Sequence, residues 1–209
     1  MCDIIILFTR FPEPGSCKTR LIPALGKGGA AGLHRQLVAK VLNELDTLQA
    51  SREFKLEIFY HGGSQEAMEQ WLGTGYWFAP QSGGDLGEKM GEALSQRSAD
   101  KGKALLIGSD CPELDPNLFS EAFDALEKNR LVFGPAADGG YYLIGIRRNL
   151  PEGLIRPLFS DIDWGSDSVL SRTLKTARQL NLSYHLLPTR HDIDTPDDLR
   201  HISNHPYFQ

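Results

Sequence analysis

Unbroken apolar runs alternate with stretches of helical spacing along most of the chain. Ile4-Ile5-Ile6-Leu7-Phe8 is continuous and rich in β-branched residues, the pattern of a central strand covered on both faces, and it ends at Thr9. Leu33, Leu37, Val41, Leu45 and Leu48 recur every three or four residues and predict an amphipathic helix over 30–49. Strands are expected at 54–60 and 76–78, with a short helix at 66–72 between them. A glycine-rich segment, 81–90, then leads into a helix with Asp85 placed to cap it. Leu105-Leu106-Ile107 is the next strand, and Asp115-Pro116 opens a helix through Leu126.

This rhythm of strand and helix indicates a parallel sheet wound in βαβ units. It breaks at 131–135 and 141–146, two strands joined by only Ala136-Ala137-Asp138-Gly139-Gly140, too little chain for a helical crossover. One of the two must therefore run antiparallel. Residues 154–159 read as short and irregular, 168–180 as a helix and 182–187 as a last strand. Thr195, Pro196, Asp197 and Asp198 form a helix start in which both aspartates are accounted for. The expected architecture is α/β and Rossmann-like, with a mostly parallel central sheet, one antiparallel strand, helices on both faces, and 1–209 as a single domain.

Bulk properties narrow the partners. At 41% hydrophobic and 23% charged, the 209 residues have the composition of a soluble globular protein, and the net charge of −5 with no basic block argues against nucleic acid. Three cysteines, Cys2, Cys17 and Cys111, show neither disulfide nor zinc spacing, which suits a reducing cytoplasm. The apolar run after Met1 lacks the basic flank of a signal peptide and the length of a membrane span, so the chain is expected to be cytoplasmic.

Candidate chemistry gathers at strand ends. Asp110 follows a strand at the position where open α/β sheets place ligands, beside Gly108 and Pro112, and suits a hard cation carrying a phosphate; capping the helix near Pro116 explains it about as well. The loop 9–21 after the first strand holds two prolines, a glycine and the cations Arg10, Lys18 and Arg20, a natural seat for a diphosphate. It is not a Walker A loop, because Pro12 and Cys17 stand where glycines are needed. Gly26 to Gly32 does not directly follow a strand and reads as a helix start rather than a dinucleotide fingerprint. Asp85 could cap its helix or meet a base or ribose. Asp138 could serve an Asp-Gly turn or a closely approaching substrate. Asp192 and Asp194 precede the Thr195 cap and flank Ile193, so both can face one side.

Four segments in order, Pro12-Glu13-Pro14-Gly15-Ser16-Cys17-Lys18-Thr19-Arg20-Leu21, Gly108-Ser109-Asp110-Cys111-Pro112-Glu113-Leu114, Ala137-Asp138-Gly139-Gly140-Tyr141-Tyr142-Leu143-Ile144-Gly145 and Asp192-Ile193-Asp194-Thr195-Pro196-Asp197-Asp198-Leu199, resemble the GT-A-like nucleotide-diphospho-sugar transferase superfamily. Within it the chain resembles the bacterial branch labelled DUF2064 or arsenosugar-biosynthesis-type glycosyltransferases. The resemblance implies a GT-A fold and a Mg²⁺ or Mn²⁺ ion on Asp110, with Asp192 and Asp194 as further metal ligands. It implies phosphate contacts from Lys18 and Arg20, and Arg10, Pro12, Gly15, Asp85 and Ser109 are the further nucleotide- or phosphate-binding candidates. Arg10 stands where relatives usually carry lysine, which keeps the charge and changes the contact geometry.

On this reading Lys18, Arg20, Asp110 and Asp138 are the catalytic candidates, Asp138 as general base if it faces the acceptor. The expected reaction is glycosyl transfer from a nucleotide sugar to a small-molecule acceptor. The alternative is nucleotidyl transfer from a nucleoside triphosphate to a phosphorylated acceptor, with loss of pyrophosphate. A third reading, nucleotide binding without turnover, is opposed by clustered carboxylates that are costly unless a cation joins them.

Overall fold

The computed structural model describes residues 2–97, 102–147, 149–203 and 205–208. Its strands are β1 (Asp3–Arg10), β2 (Phe54–His61), β3 (Trp77–Pro80), β4 (Lys103–Ile107), β5 (Leu131–Pro135), β6 (Tyr141–Arg147) and β7 (Tyr184–Leu186). They form one seven-stranded sheet in the order β3-β2-β1-β4-β6-β5-β7. Strand β6 is antiparallel to both β4 and β5, while every other pairing is parallel. This is the reversal demanded by the five-residue connection 136–140.

The helices are α1 (Ile22–Gln49), α2 (Gln65–Leu72), α3 (Leu86–Ser95), α4 (Pro116–Lys128), α5 (Glu152–Ile155) and α6 (Val169–Gln179). The alternation within β1 decides which side each serves. Ile5 and Leu7 pack with Val41 and Leu45 of α1, Met68 of α2 and Phe119 and Phe123 of α4 on one face. Ile4, Ile6 and Phe8 pack with Met90 and Leu94 of α3 and Leu174 and Ala177 of α6 on the other. A strand buried on both sides has no reason to alternate in polarity, and β1 does not. No helix among the described residues is long and apolar enough to cross a membrane.

Several boundaries differ from the sequence reading for local reasons. Strand β1 continues past Thr9 because its pairing with β2 runs to Arg10 opposite His61. Helix α1 begins at Ile22, but Gly26 breaks it with φ 69° and ψ 168°, so the long helical segment does start within the glycine stretch. Asp85 and Glu88 form a reciprocal capping box on α3, and Asp115 caps α4 through the Leu118 N–H. Thr195 and Asp198 build the same device on a 3₁₀ helix, Pro196–His201, rather than an α-helix. Residues 154–159, expected to be irregular, fall in the end of α5 and the 3₁₀ turn that follows it, Arg156–Phe159.

The reversal of β6 matters for the site. It brings the start of β6 beside the end of β4, with Ile107 opposite Leu143 and the Gly108 N–H donating to the Tyr142 carbonyl at 3.2 Å. An isolated parallel bridge between Ala136 and Arg190 draws the segment after β7 to the same rim. The loops after β1, β4, β5 and β7 therefore meet at one end of the sheet.

Gly145 sits in the middle of β6, where a Cβ would lie 2.5 Å from Val132 Cγ1 and 2.6 Å from Leu105 Cδ2. Gly145→Ala is expected to destabilise the fold by about 1–3 kcal/mol through overpacking. Urea denaturation measures this, and an unchanged midpoint would contradict the close approach.

Candidate active site

A cleft of about 440 Å³ opens at that end of the sheet. Its walls include Thr9 and Arg10 at the end of β1, Cys17, Lys18 and Arg20 of the next loop, Ser109 to Cys111 after β4, and Asp192 and Asp194 after β7. The four sequence segments that are distant along the chain thus supply one concavity.

Lys18 is its hinge-pin. Its backbone adopts the left-handed conformation, φ 49° and ψ 43°, which costs a non-glycine residue on the order of 1 kcal/mol and turns the chain into the 3₁₀ turn Thr19–Leu21. The side chain is then driven inward, 3% exposed, with Nζ 2.8 Å from Asp110 Oδ1. It also donates to the Ile193 carbonyl at 2.5 Å. Ile193 returns a bond, its N–H donating to the Asp110 carbonyl at 2.9 Å. Two of the three ammonium donors of Lys18 are thereby committed inside the protein. Lys18, expected among the phosphate contacts, lines the cleft and at the same time holds Asp110 against the 192–194 segment.

The other two cations line the cleft and are more exposed than Lys18. Arg20 Nη1 meets Asp194 Oδ2 at 2.8 Å in a largely exposed pair, worth little to stability. Arg10 Nη1 donates to the Ser16 carbonyl at 2.7 Å, closing the loop 10–16 on itself.

The carboxylates are crowded enough to perturb one another. Burial would push the Asp110 carboxyl up, but the charge and hydrogen bond of Lys18, helped by His34 and Ser109, overcome that and hold it below the usual range. Asp192 lacks such a partner. Burial first, and then the charges of Asp110, Asp138 and Asp194, push it up to about 7. Its buried Oδ1 has no hydrogen-bond partner. A set of oxygen donors with an orphaned carboxylate oxygen among like charges fits a hard divalent cation. Among the described residues, however, no three His, Cys, Asp or Glu side chains are already gathered as a metal centre. Asp110 and Asp194 are each turned to a cation.

The remaining expected residues divide. Ser109 lines the cleft, is buried, and its hydroxyl lies 3.4 Å from Asp110 Oδ1. Pro12 and Gly15 do not line it; the Pro12 carbonyl accepts from Arg35 at 3.3 Å, and Gly15 turns the loop with φ 95°. Asp85 is likewise outside the lining and is spent on its capping box. Asp138 is exposed, outside the lining, and its Oδ1 accepts from the Gly140 N–H at 2.9 Å, the turn role that its sequence allowed. Its charge nonetheless reaches Asp192.

Sequence reasoning passed over His34 and Gln81. His34 projects from α1, buried, and its Nε2 donates to the Arg10 carbonyl at 2.9 Å, leaving Nδ1 buried without a partner. Burial holds its pKa below the ordinary value despite the nearby Asp110 charge. The signal was a histidine beside Leu33 on an apolar helix face. Gln81 Nε2 lies 3.3 Å from the Thr9 carbonyl and 3.2 Å from that of Phe59, bridging the ends of β1 and β2, and nothing in its local sequence marked it.

Residues 44–166 match the bacterial family described as an uncharacterized conserved protein, DUF2064. The chain belongs to the DUF2064 family. The family match leaves out the 10–21 loop and Asp192, but a solved structure spans them. A provisionally named nucleotide-diphospho-sugar transferase from Desulfovibrio desulfuricans G20 is 34% identical over 99% of this chain and 90% of its own, with a TM-score of 0.87. The 4-diphosphocytidyl-2C-methyl-D-erythritol synthase of Anaerococcus prevotii DSM 20548 shares the fold at TM-score 0.60 and 13% identity, over 96% of this chain and 94% of that one. Rv0371c from Mycobacterium tuberculosis H37Rv, in complex with manganese, does so at 0.57 and 16%, over 95% and 97%. No match was found among curated proteins. The DUF2064 chain accordingly has the Rossmann-like GT-A fold of the nucleotide-diphospho-sugar transferase superfamily.

The raised Asp192 carboxyl has a stability consequence. A carboxyl whose folded pKa lies above its unfolded value favours folding most when protonated, and that advantage is lost as pH rises from about 4 through about 7. In EDTA, Asp192→Asn should therefore gain on the parent over that interval, by an amount on the order of a few kcal/mol at its upper end. Thermal melts from pH 4 to 8 read the gap; a constant difference would remove the crowding.

Proposed function

We propose that this DUF2064 protein is a metal-dependent transferase using a nucleotide-activated donor, with glycosyl transfer from a nucleotide sugar to a small-molecule hydroxyl as the leading reading. The observation that carries it is the convergence of the cationic 10–21 loop with Asp110, Asp192 and Asp194 on one cleft. The manganese complex of the Mycobacterium tuberculosis relative is in keeping with this, as is the name of the Desulfovibrio protein. A cytoplasmic location belongs to the same proposal.

Asp110, Asp192 and Asp194 would hold Mg²⁺ or Mn²⁺, which supplies Lewis-acid neutralisation of a diphosphate. Lys18 keeps Asp110 ionised and positioned. Arg10 and Arg20, facing the cleft, supply the fixed positive field for the departing phosphates, and preorganised charge of this kind carries much of the catalysis in group transfer. In glycosyl transfer the acceptor oxygen bonds to the anomeric carbon as the bond to the diphosphate breaks, and the acceptor proton passes to a base, for which Asp138 is the candidate.

A specific observation favours a second reading. Asp138 lies outside the cleft lining, and nucleotidyl transfer to a phosphorylated acceptor needs no base, because the attacking phosphate oxygen is already ionised. There the acceptor oxygen attacks the α-phosphorus and pyrophosphate leaves. The Anaerococcus relative bears a name of that kind.

Incubation with Mg²⁺ or Mn²⁺ and panels of nucleotide sugars and triphosphates separates the two: nucleoside diphosphate release supports glycosyl transfer, pyrophosphate release supports nucleotidyl transfer, and intact binding without either removes catalysis. Asp110→Asn should weaken Mn²⁺-dependent nucleotide binding by about tenfold or more, since losing even an outer-shell partner of a metal ligand costs about 10–100-fold. Unchanged affinity by titration calorimetry would sink the metal assignment.

A further inference from the structure

The segment that carries Asp192 and Asp194 is held from behind by apolar contacts that belong to neither face of the sheet. Leu21, Ala30, Leu33, Leu37, Ile193 and Ile202 form a third apolar cluster, separate from the two that cover the sheet. Helix α1 therefore serves two partners. Its Val41, Leu45 and Leu48 pack with the sheet, whereas Leu33 and Leu37, earlier in the helix, pack with the chain after β7. Two members of the cluster sit inside the site's own loops: Leu21 directly follows Arg20, and Ile193 lies between the two aspartates. Both are fully buried. With Ile193 turned into the cluster, Asp192 and Asp194 on either side of it both reach the cleft.

The backbone of this segment is gripped at both ends. On one side the Ile193 N–H donates to the Asp110 carbonyl at 2.9 Å. On the other, Asp198 Oδ2 accepts from the Asp194 N–H at 3.1 Å and from both the N–H and the hydroxyl of Thr195 at 2.7 Å. The carboxylate that completes the cap of the 3₁₀ helix Pro196–His201 thus also fixes the main chain of Asp194, and the residue that ends this helix, Ile202, enters the cluster. Irregular backbone has no ladder of its own, so few contacts besides these decide where it stands.

We propose that Ile202 and Asp198 are positioning residues: acting through Ile193 and the main chain of Asp194, they set where Asp192 and Asp194 stand opposite Asp110, and hence how tightly the cleft takes a divalent cation with a nucleoside diphosphate. Neither side chain lines the cleft, so each acts at one remove. The inference rests on the proposed function for the identity of the ligand, while the placement of the segment is a property of the chain alone.

The test begins with amide hydrogen exchange on the metal-free full chain, with the Ile193 N–H as reporter of the seam to Asp110. Ile202→Ala and Asp198→Ala should each speed its exchange about tenfold or more by local opening, while the amides of Leu105 and Ile107 in β4 keep nearly the parent rate. Ile202→Val should restore most of the protection. Calorimetry with Mn²⁺ and a nucleoside diphosphate follows: both alanine variants should bind about tenfold more weakly, the scale of lost support for a metal ligand. Leu48→Val, which opens space in the sheet core at the far end of α1, should lower the urea midpoint and leave that affinity unchanged. An Ile193 amide that keeps the parent rate, or that speeds up only as much as the β4 amides, overturns the positioning role. So does full affinity in both alanine variants where Asp110→Asn has lost it. If the Ile193 amide responds as expected but Asp110→Asn binds as the parent does, the metal reading falls and the placement of the segment by Ile202 and Asp198 stands.

Discussion

The inward ammonium of Lys18 is the interaction on which the rest of the site depends. A buried cation without partners would be intolerable, and here it has a carboxylate at 2.8 Å and a main-chain carbonyl at 2.5 Å from two different segments. Because Ile193 also donates to the Asp110 carbonyl, the 10–21 loop, the turn after β4 and the segment after β7 are joined through a single point. Each of these is irregular backbone that would otherwise be free to wander. The strained φ of Lys18 is the conformational cost of delivering the side chain to that point.

The same logic recurs behind the site. Helix α1 is apolar toward the sheet except at His34 and Lys40, and each donates to a carbonyl at the rim: His34 to Arg10 at the end of β1, Lys40 to Leu114 after β4. Lys40 is additionally 3.5 Å from Glu44 one turn on. A polar group spent in a core is offset only by a hydrogen bond that nothing apolar could supply. Here those bonds fix where the loops leave the sheet, so the helix that covers one face also holds the rim.

The fold was legible because its main signals are local. Continuous β-branched runs, the 3.6-residue spacing of Leu33 to Leu48, and a five-residue gap before β6 each follow from short-range geometry, and together they required a mixed sheet with one reversed strand. The candidate site was legible as a set of residues and not as an arrangement. That Asp192 and Asp194 would share a side followed from alternation about Ile193. That Lys18 would turn inward did not, because it depends on a left-handed backbone at a lysine and on an acceptor 175 positions away. Asp85 and Asp138 show the converse. Their turn and capping roles were written in Asp-Leu-Gly-Glu and Asp-Gly-Gly, and the structure uses those local bonds in both cases.

The distribution of charge then bears on how an acidic protein could present the proposed site for a nucleotide's phosphates. Lys18 with Asp110 and Arg20 with Asp194 neutralise one another across the same two segments, so that neither the cations nor the carboxylates stand alone. Asp192 is left between them and responds by holding its proton up to about pH 7, the cheaper choice for a carboxyl that has like charges around it and no cation of its own. A ligand that brings both signs, phosphate oxygens and a divalent cation together, can take over both sets of partners at once. A ligand of one sign would have to break an ion pair for each contact it made there.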